Sequence, residues 1–151
     1  MRGSYPMARY FVAVGTRDAV LTGVSAGFCF VRSRNRVLLS QIAEGDWLAY
    51  YSPRELQRGT TPCRRFTAVG RVAKGRASMG QGSEGLQGER WPMRYLRCYP
   101  VPAATLVRSL SFVRNKKRWG PSFRTEFFEV RREDFAVIAQ AMLARVDWEA
   151  L

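Results

Sequence analysis

Asn115, Lys116, Lys117 and Arg118 place a block of charge directly before Trp119, and Phe123 follows closely. Large aromatic side chains are poorly suited to water, so this juxtaposition suggests a chemistry that uses both residue types. A nucleobase removed from its stack is such a case: its faces take aromatic plates, its edge takes hydrogen-bonding groups and its phosphates take cations. Trp119 is one candidate plate. Trp91, at the end of a glycine-rich stretch, is a second, and Pro92 and Gly120 after them fix the local chain. Tyr50 and Tyr51 are adjacent, so on a strand they point to opposite faces, one to the core and the other to a surface or cavity. Trp47 and Trp148 read as packing residues.

The composition points to the same class of partner. Lys plus Arg number 25 against 12 Asp plus Glu, a formal charge of +13. An excess of that size attracts polyanions and releases their counterions, and the predominance of arginine suits phosphate. Arg32, Arg34, Arg54, Lys116, Lys117 and Arg118 are the candidate phosphate-holding residues. The chain has no histidine, which disfavours Ser/His/Asp triads, Cys/His pairs and most catalytic zinc sites. Cys29, Cys63 and Cys98 are widely spaced, fitting structural thiols in a reducing cytoplasm rather than a metal site or a disulfide framework. Most carboxylates fall in turns or at helix ends, where capping is the usual role. The segment 80–85 resembles a phosphate loop only in its glycines, lacking the Gly-Lys-Ser/Thr ending. A binding module needing no metal or cofactor is therefore favoured over an enzyme.

The elements that must position these residues are short. Residues 9–15 read as a first strand, and Thr16 caps a helix over 17–22 with Asp18 in its first turn. A second extended piece covers 27–32 and a helical turn 36–42. A strong strand over 47–52 is stopped by Pro53, and 54–64 is a loop. Strand character resumes over 65–73, with Phe66, Ala68, Gly70 and Val72 on one face. Residues 74–90 are too rich in glycine for a helix and too long for an ordinary hairpin, so they read as a loop. Another strand covers 91–101, broken by Pro100 and Pro102, before a short helix over 103–110 and a last strand over 126–130. Phe135, Ile138, Ala139, Met142 and Val146 form one apolar face of a closing helix. The sum is a small barrel-like α+β fold in one domain over 7–147, with tails at 1–6 and 148–151. No apolar run is long enough to cross a bilayer.

Taken in order, RYFVAVGTRDAV at the start, GVSAGF (23–28), GDWLAYYSP (45–53), FTAVGRV (66–72), RYLRC (94–98), LSFVRNKKRWGPSFR (110–124) and FFEVRREDFAVIAQAM (127–142) resemble the EVE-domain family, PUA-like domains related in fold to the YTH readers of methylated adenine. The resemblance implies a PUA-like β-barrel, flanked by short helices, that reads a modified base such as 5-methylcytosine in DNA by flipping it into an aromatic pocket. It places Phe28, Tyr51, Trp91 and Trp119 near that pocket, with Ser52 and Arg124 as polar neighbours. Typical members carry Gln and a His-Gly-Lys run just after the Gly-Phe pair, where this chain has Phe30 and then Ser33-Arg34-Asn35, a ring in place of an amide. The leading expectation is a non-enzymatic reader of a modified base in DNA or RNA. The alternative is an RNA-binding PUA-type domain attached to RNA modification or translation.

Overall fold

The computed structural model describes residues 7–75, 78–81 and 87–143. The expected tails, Val146 and Trp148 lie outside them. Strands β1 (Tyr10–Val14), β2 (Phe28–Val31), β3 (Trp47–Arg54), β4 (Pro62–Val72), β6 (Gln87–Tyr95) and β8 (Phe127–Val130) run in the order β2-β6-β4-β3-β1-β8; β5 (Ser78–Gln81) adds to β6, and β7 (Val101–Pro102) to β4. The β1–β3 pair is parallel and its neighbours are antiparallel, so the expected small mixed barrel is realised as a curled six-strand half-barrel.

Both faces of this sheet are covered, which is why β1 is apolar at successive positions rather than at alternate ones. Phe11 and Ala13 join a cluster with Val20 of helix α1 (Arg17–Ala26), Cys29, Tyr50 and Trp91. Val12 joins the opposite cluster with Tyr51, Phe66, Trp119 and the apolar face of helix α3 (Arg132–Leu143). Tyr50 and Tyr51 do point to opposite faces, but both are 4% exposed; neither is left on a surface, because each face has its own cover.

Several boundaries differ from expectation for local reasons. Strand β3 runs through Pro53 because the ladder to β4 is irregular between Ser52 and Arg54, where the missing N–H costs no regular pairing. β4 starts at Pro62, inside the expected loop. A second register shift sets Tyr50 against Ala68 but Tyr51 against Phe66. Thr67 is the extra residue, so Phe66 and Ala68 fall in different clusters instead of sharing one face. The glycine-rich segment is not simply a loop: β5 pairs with β6 from Ser78↔Arg90 to Gln81↔Gln87. The expected helix over 103–110 is two short 3-10 turns. Helix α1 extends to Ala26 and ends at Gly27, whose φ of 78° is the left-handed cap that glycine adopts most readily. The third helix, α2 (Arg36–Ser40), starts where the Asn35 side chain accepts from the Leu38 N–H.

Candidate functional site

The basic loop has a packing logic. The Asn115 side-chain oxygen accepts from the Lys117 and Arg118 N–H groups at 3.1 and 3.0 Å, folding the loop back. Lys116 Nζ donates to the Leu110 carbonyl at 2.7 Å. The loop thereby turns Trp119 inward to 8% exposure, edge-on to Tyr51 and Phe123. The Arg64 guanidinium closes over its ring, 4.5 Å from the centroid. Arg64 has φ 56°, a conformation uncommon for a residue with a Cβ, beside the irregular end of β3–β4. Trp119 is thus a plug under the charged loop.

Trp91 lies on the other side of the sheet, opposite Cys29 on β2 and 4% exposed. The expectation that Trp91 and Trp119 line one pocket is corrected here: the half-barrel separates them into its two cores. Ser52 is fully buried, its hydroxyl paired with Thr67 at 2.7 Å. Arg118 and Arg124 line a shallow hollow of about 530 Å³ with Arg114 and Phe112. Arg34 and Lys117 are exposed. Of the expected residues, Phe28, Arg32 and Arg54 meet at one cleft.

That cleft, about 520 Å³, opens between α1, β2, β3 and β6, within the roughly 300–1,000 Å³ usual for small-ligand pockets. Its aromatic lining is Phe28, Phe30, Tyr50 and Tyr95. Both phenols are fixed through their protons: Tyr50 donates to the Phe30 carbonyl at 2.6 Å, and Tyr95 to that of Phe28 at 3.0 Å. Burial pushes both well above the ordinary tyrosine value, so they stay neutral. Cys29 also borders the cleft; its thiol is buried, which raises its pKa to about 12 against the smaller opposing effect of backbone N–H groups. It stays protonated and is no nucleophile at neutral pH.

Arginines surround this apolar lining. The Arg90 guanidinium lies 4.3 Å from the Phe28 ring centroid. Arg32 stands 4.0 Å from Glu126, both near half exposure, a weak pair at the mouth. Arg54 donates to the Gly59 carbonyl at 3.0 Å. The polar end is built by the N-terminus of α1, where Thr16 and Gln57 line the cleft. Asp18 holds the chain after β3 against the helix: its own N–H donates to the Glu55 carbonyl, and its carboxylate accepts from the Gln57 N–H at 3.2 Å. Gly23 lets α1 lie close to β2, since a Cβ there would stand 2.6 Å from the Phe28 carbonyl oxygen. Sequence reasoning does not single out Gln57, after β3, or Arg90 and Tyr95, on β6, which share no motif. Among the described residues no group of three or more Cys, Asp or Glu could hold a metal ion, and no helix is long and apolar enough to cross a membrane. The arrangement suits a flat, partly polar ring held between apolar walls, with anionic groups outside.

Comparison with known proteins agrees with this architecture. The EVE-domain family model matches residues 9–141. A UPF0310 protein of Bacillus licheniformis is 35% identical over 128 residues, covering 85% of this chain and 87% of its own. The UPF0310 protein YdcG of Bacillus subtilis is 33% identical over 142 residues, covering 94% of this chain and 97% of its own. Among solved structures, the YTH domain-containing protein mmi1 in complex with RNA superposes with a TM-score of 0.60 at 12% identity, over 92% of this chain and 86% of that one. The Pho92 YTH domain in complex with m6A gives 0.55 at 12% identity, over 89% and 83%. At such identities these two likenesses establish the fold.

Proposed function

Since the chain belongs to the EVE-domain family, we propose that it is a non-catalytic module that binds nucleic acid by taking one modified base into the cleft between α1, β2, β3 and β6. One observation carries this reading. The cleft combines four aromatic rings, Phe28, Phe30, Tyr50 and Tyr95, with Arg32, Arg54 and Arg90. Apolar walls favour a ring of low polarity, which an added methyl group improves by roughly 0.8 kcal/mol per buried carbon. The arginines attract the phosphates on either side of that base, and Arg118 and Arg124, at the second hollow, add further cations for the rest of the strand. The YTH neighbours solved with RNA and with m6A support nucleic acid as the partner.

The test is a binding panel of oligonucleotides identical except at one central position, carrying cytosine, 5-methylcytosine, adenine or N6-methyladenine, each as DNA and RNA, single- and double-stranded. One modified form should bind more tightly than its unmodified counterpart. Phe28→Ala should reduce that preference by about 1–3 kcal/mol, the usual worth of stacking on an aromatic plate, at an unchanged melting temperature. Equal affinity for every modified and unmodified pair, or a preference indifferent to Phe28→Ala, refutes the reading.

A further inference from the structure

The polar end of the cleft contains a hydrogen-bond problem with one solution. Thr16 Oγ1 stands 2.6 Å from Asp18 Oδ1 and 3.0 Å from the amide atom of Gln57 placed as Oε1, so two oxygens call on one hydroxyl. A hydroxyl has a single proton to donate. Burial of Asp18 works against its charge, but hydrogen bonds from Thr16, Gln57 N–H and Ala19 N–H outweigh it and hold the carboxyl below its ordinary range. Asp18 is therefore an acceptor only, and a 2.6 Å oxygen–oxygen contact with it must contain the Thr16 proton. Thr16 then offers Gln57 lone pairs alone. The group of Gln57 that faces Thr16 must be its NH₂ and not its carbonyl oxygen, an assignment that the hydrogen-bond network decides. Turning the amide this way leaves Gln57 Oε1 on the side away from Thr16, in a residue that lines the cleft.

The other polar atoms of the lining agree with this polarity. The hydroxyl protons of Tyr50 and Tyr95 are spent on the Phe30 and Phe28 carbonyls, so these oxygens too have only lone pairs left. Donors are supplied by the arginines, with Arg32 at the mouth half exposed. Resting on the reading that a base enters this cleft, we propose that Gln57 determines specificity. Its side-chain oxygen, oriented by Thr16 and Asp18, accepts an N–H from the exocyclic amino group of the bound base, so the cleft selects cytosine- or adenine-type rings. A ring presenting a carbonyl at that point would face oxygen with oxygen.

The test uses two pairs of otherwise identical single-stranded oligonucleotides, whose central bases differ only by the exocyclic amino or methylamino group: 5-methylcytosine against 5-methyl-2-pyrimidinone, and N6-methyladenine against purine. In at least one pair the parent protein should bind the amino member about 10-fold more tightly, the effect of one polar group left without its partner. Gln57→Leu should bring that ratio near one, with the melting temperature retained. In the unliganded protein, a nitrogen-edited NOE spectrum should show a cross-peak from the Gln57 side-chain NH₂ to the Thr16 methyl, and its absence overturns the proposed orientation. Equal binding of both members by the parent, with Phe28→Ala still abolishing it, overturns the role of Gln57 and leaves the cleft reading standing. Equal binding untouched by Phe28→Ala, or no binding of any of the four, overturns both.

Discussion

Trp119→Ala separates a packing role from a ligand-binding role, because the two predict opposite outcomes in paired assays. Trp119 is 8% exposed and touches Tyr51 and Phe123 edge-on, with ring centroids 6.1 and 5.9 Å away. Emptying such a site removes the transfer energy of the indole and leaves a cavity that the surrounding rings cannot fill. Substitutions of this kind cost about 3–5 kcal/mol. The Arg64 guanidinium over the indole adds about 0.5–1 kcal/mol, lost with the ring. For a domain of this length each kcal/mol lowers the midpoint by roughly 2–4 °C, so thermal unfolding should fall by about 7–24 °C. At a temperature where both proteins are folded, the preference for the modified base should survive, since Trp119 and the cleft lie on opposite faces of the sheet. Arg64→Ala should cost much less, losing only the cation–π contact and the guanidinium's hydrogen bond to the Tyr51 hydroxyl. A Trp119→Ala protein that melts within about 2 °C of the parent, or that loses its base preference while staying fully folded, refutes the packing account.

Gly23→Ala should destabilise by about 1–3 kcal/mol, because the new methyl meets the Phe28 carbonyl and must push α1 off β2; unchanged melting and binding would show that the close approach is dispensable. The carboxyl of Asp18 is lowered in the folded state, so its contribution to stability is full above the unfolded pKa and fades as pH falls through the lower folded one. Asp18→Asn should therefore lower stability at pH 7 and narrow the gap to the parent in the acid range below about pH 4, and a gap independent of pH would contradict this. Cys29, with its pKa raised to about 12, should resist iodoacetamide at pH 8 in the folded protein and react once unfolded; peptide mass spectrometry checks the site, and rapid native labelling of Cys29 would refute its burial.

Legibility in the sequence followed the physics of each segment. The β1 run and the Phe135, Ile138 and Met142 face of α3 were readable because burial imposes a local pattern, and the structure buries all three of those helix residues. Pro53 and the Phe66–Ala68 alternation misled because register irregularities at Ser52/Arg54 and at Thr67 depend on the partner strand. The glycine-rich segment lacks strand propensity, yet β6 supplies pairing for it. The Trp119 neighbourhood showed charge and aromaticity together, but not that the Asn115 turn and the Lys116–Leu110 bond would sort them to opposite sides. Phe28, Arg32 and Arg54 were identifiable, whereas Thr16, Gln57, Arg90 and Tyr95 become neighbours of the cleft only when α1, β3 and β6 close around it.

The central claim, that a base enters the cleft between α1, β2, β3 and β6, is tested most directly by following backbone amide resonances while the protein is titrated with its preferred modified oligonucleotide and with the unmodified counterpart. The account predicts that shifts specific to the modified base cluster on Gly15, Gly23, Phe28, Phe30, Gln57 and Tyr95. Shifts on Arg114, Arg118 and Arg124 should be common to both oligonucleotides. Modification-specific shifts confined to the 114–124 loop, with the cleft amides unmoved, would contradict it.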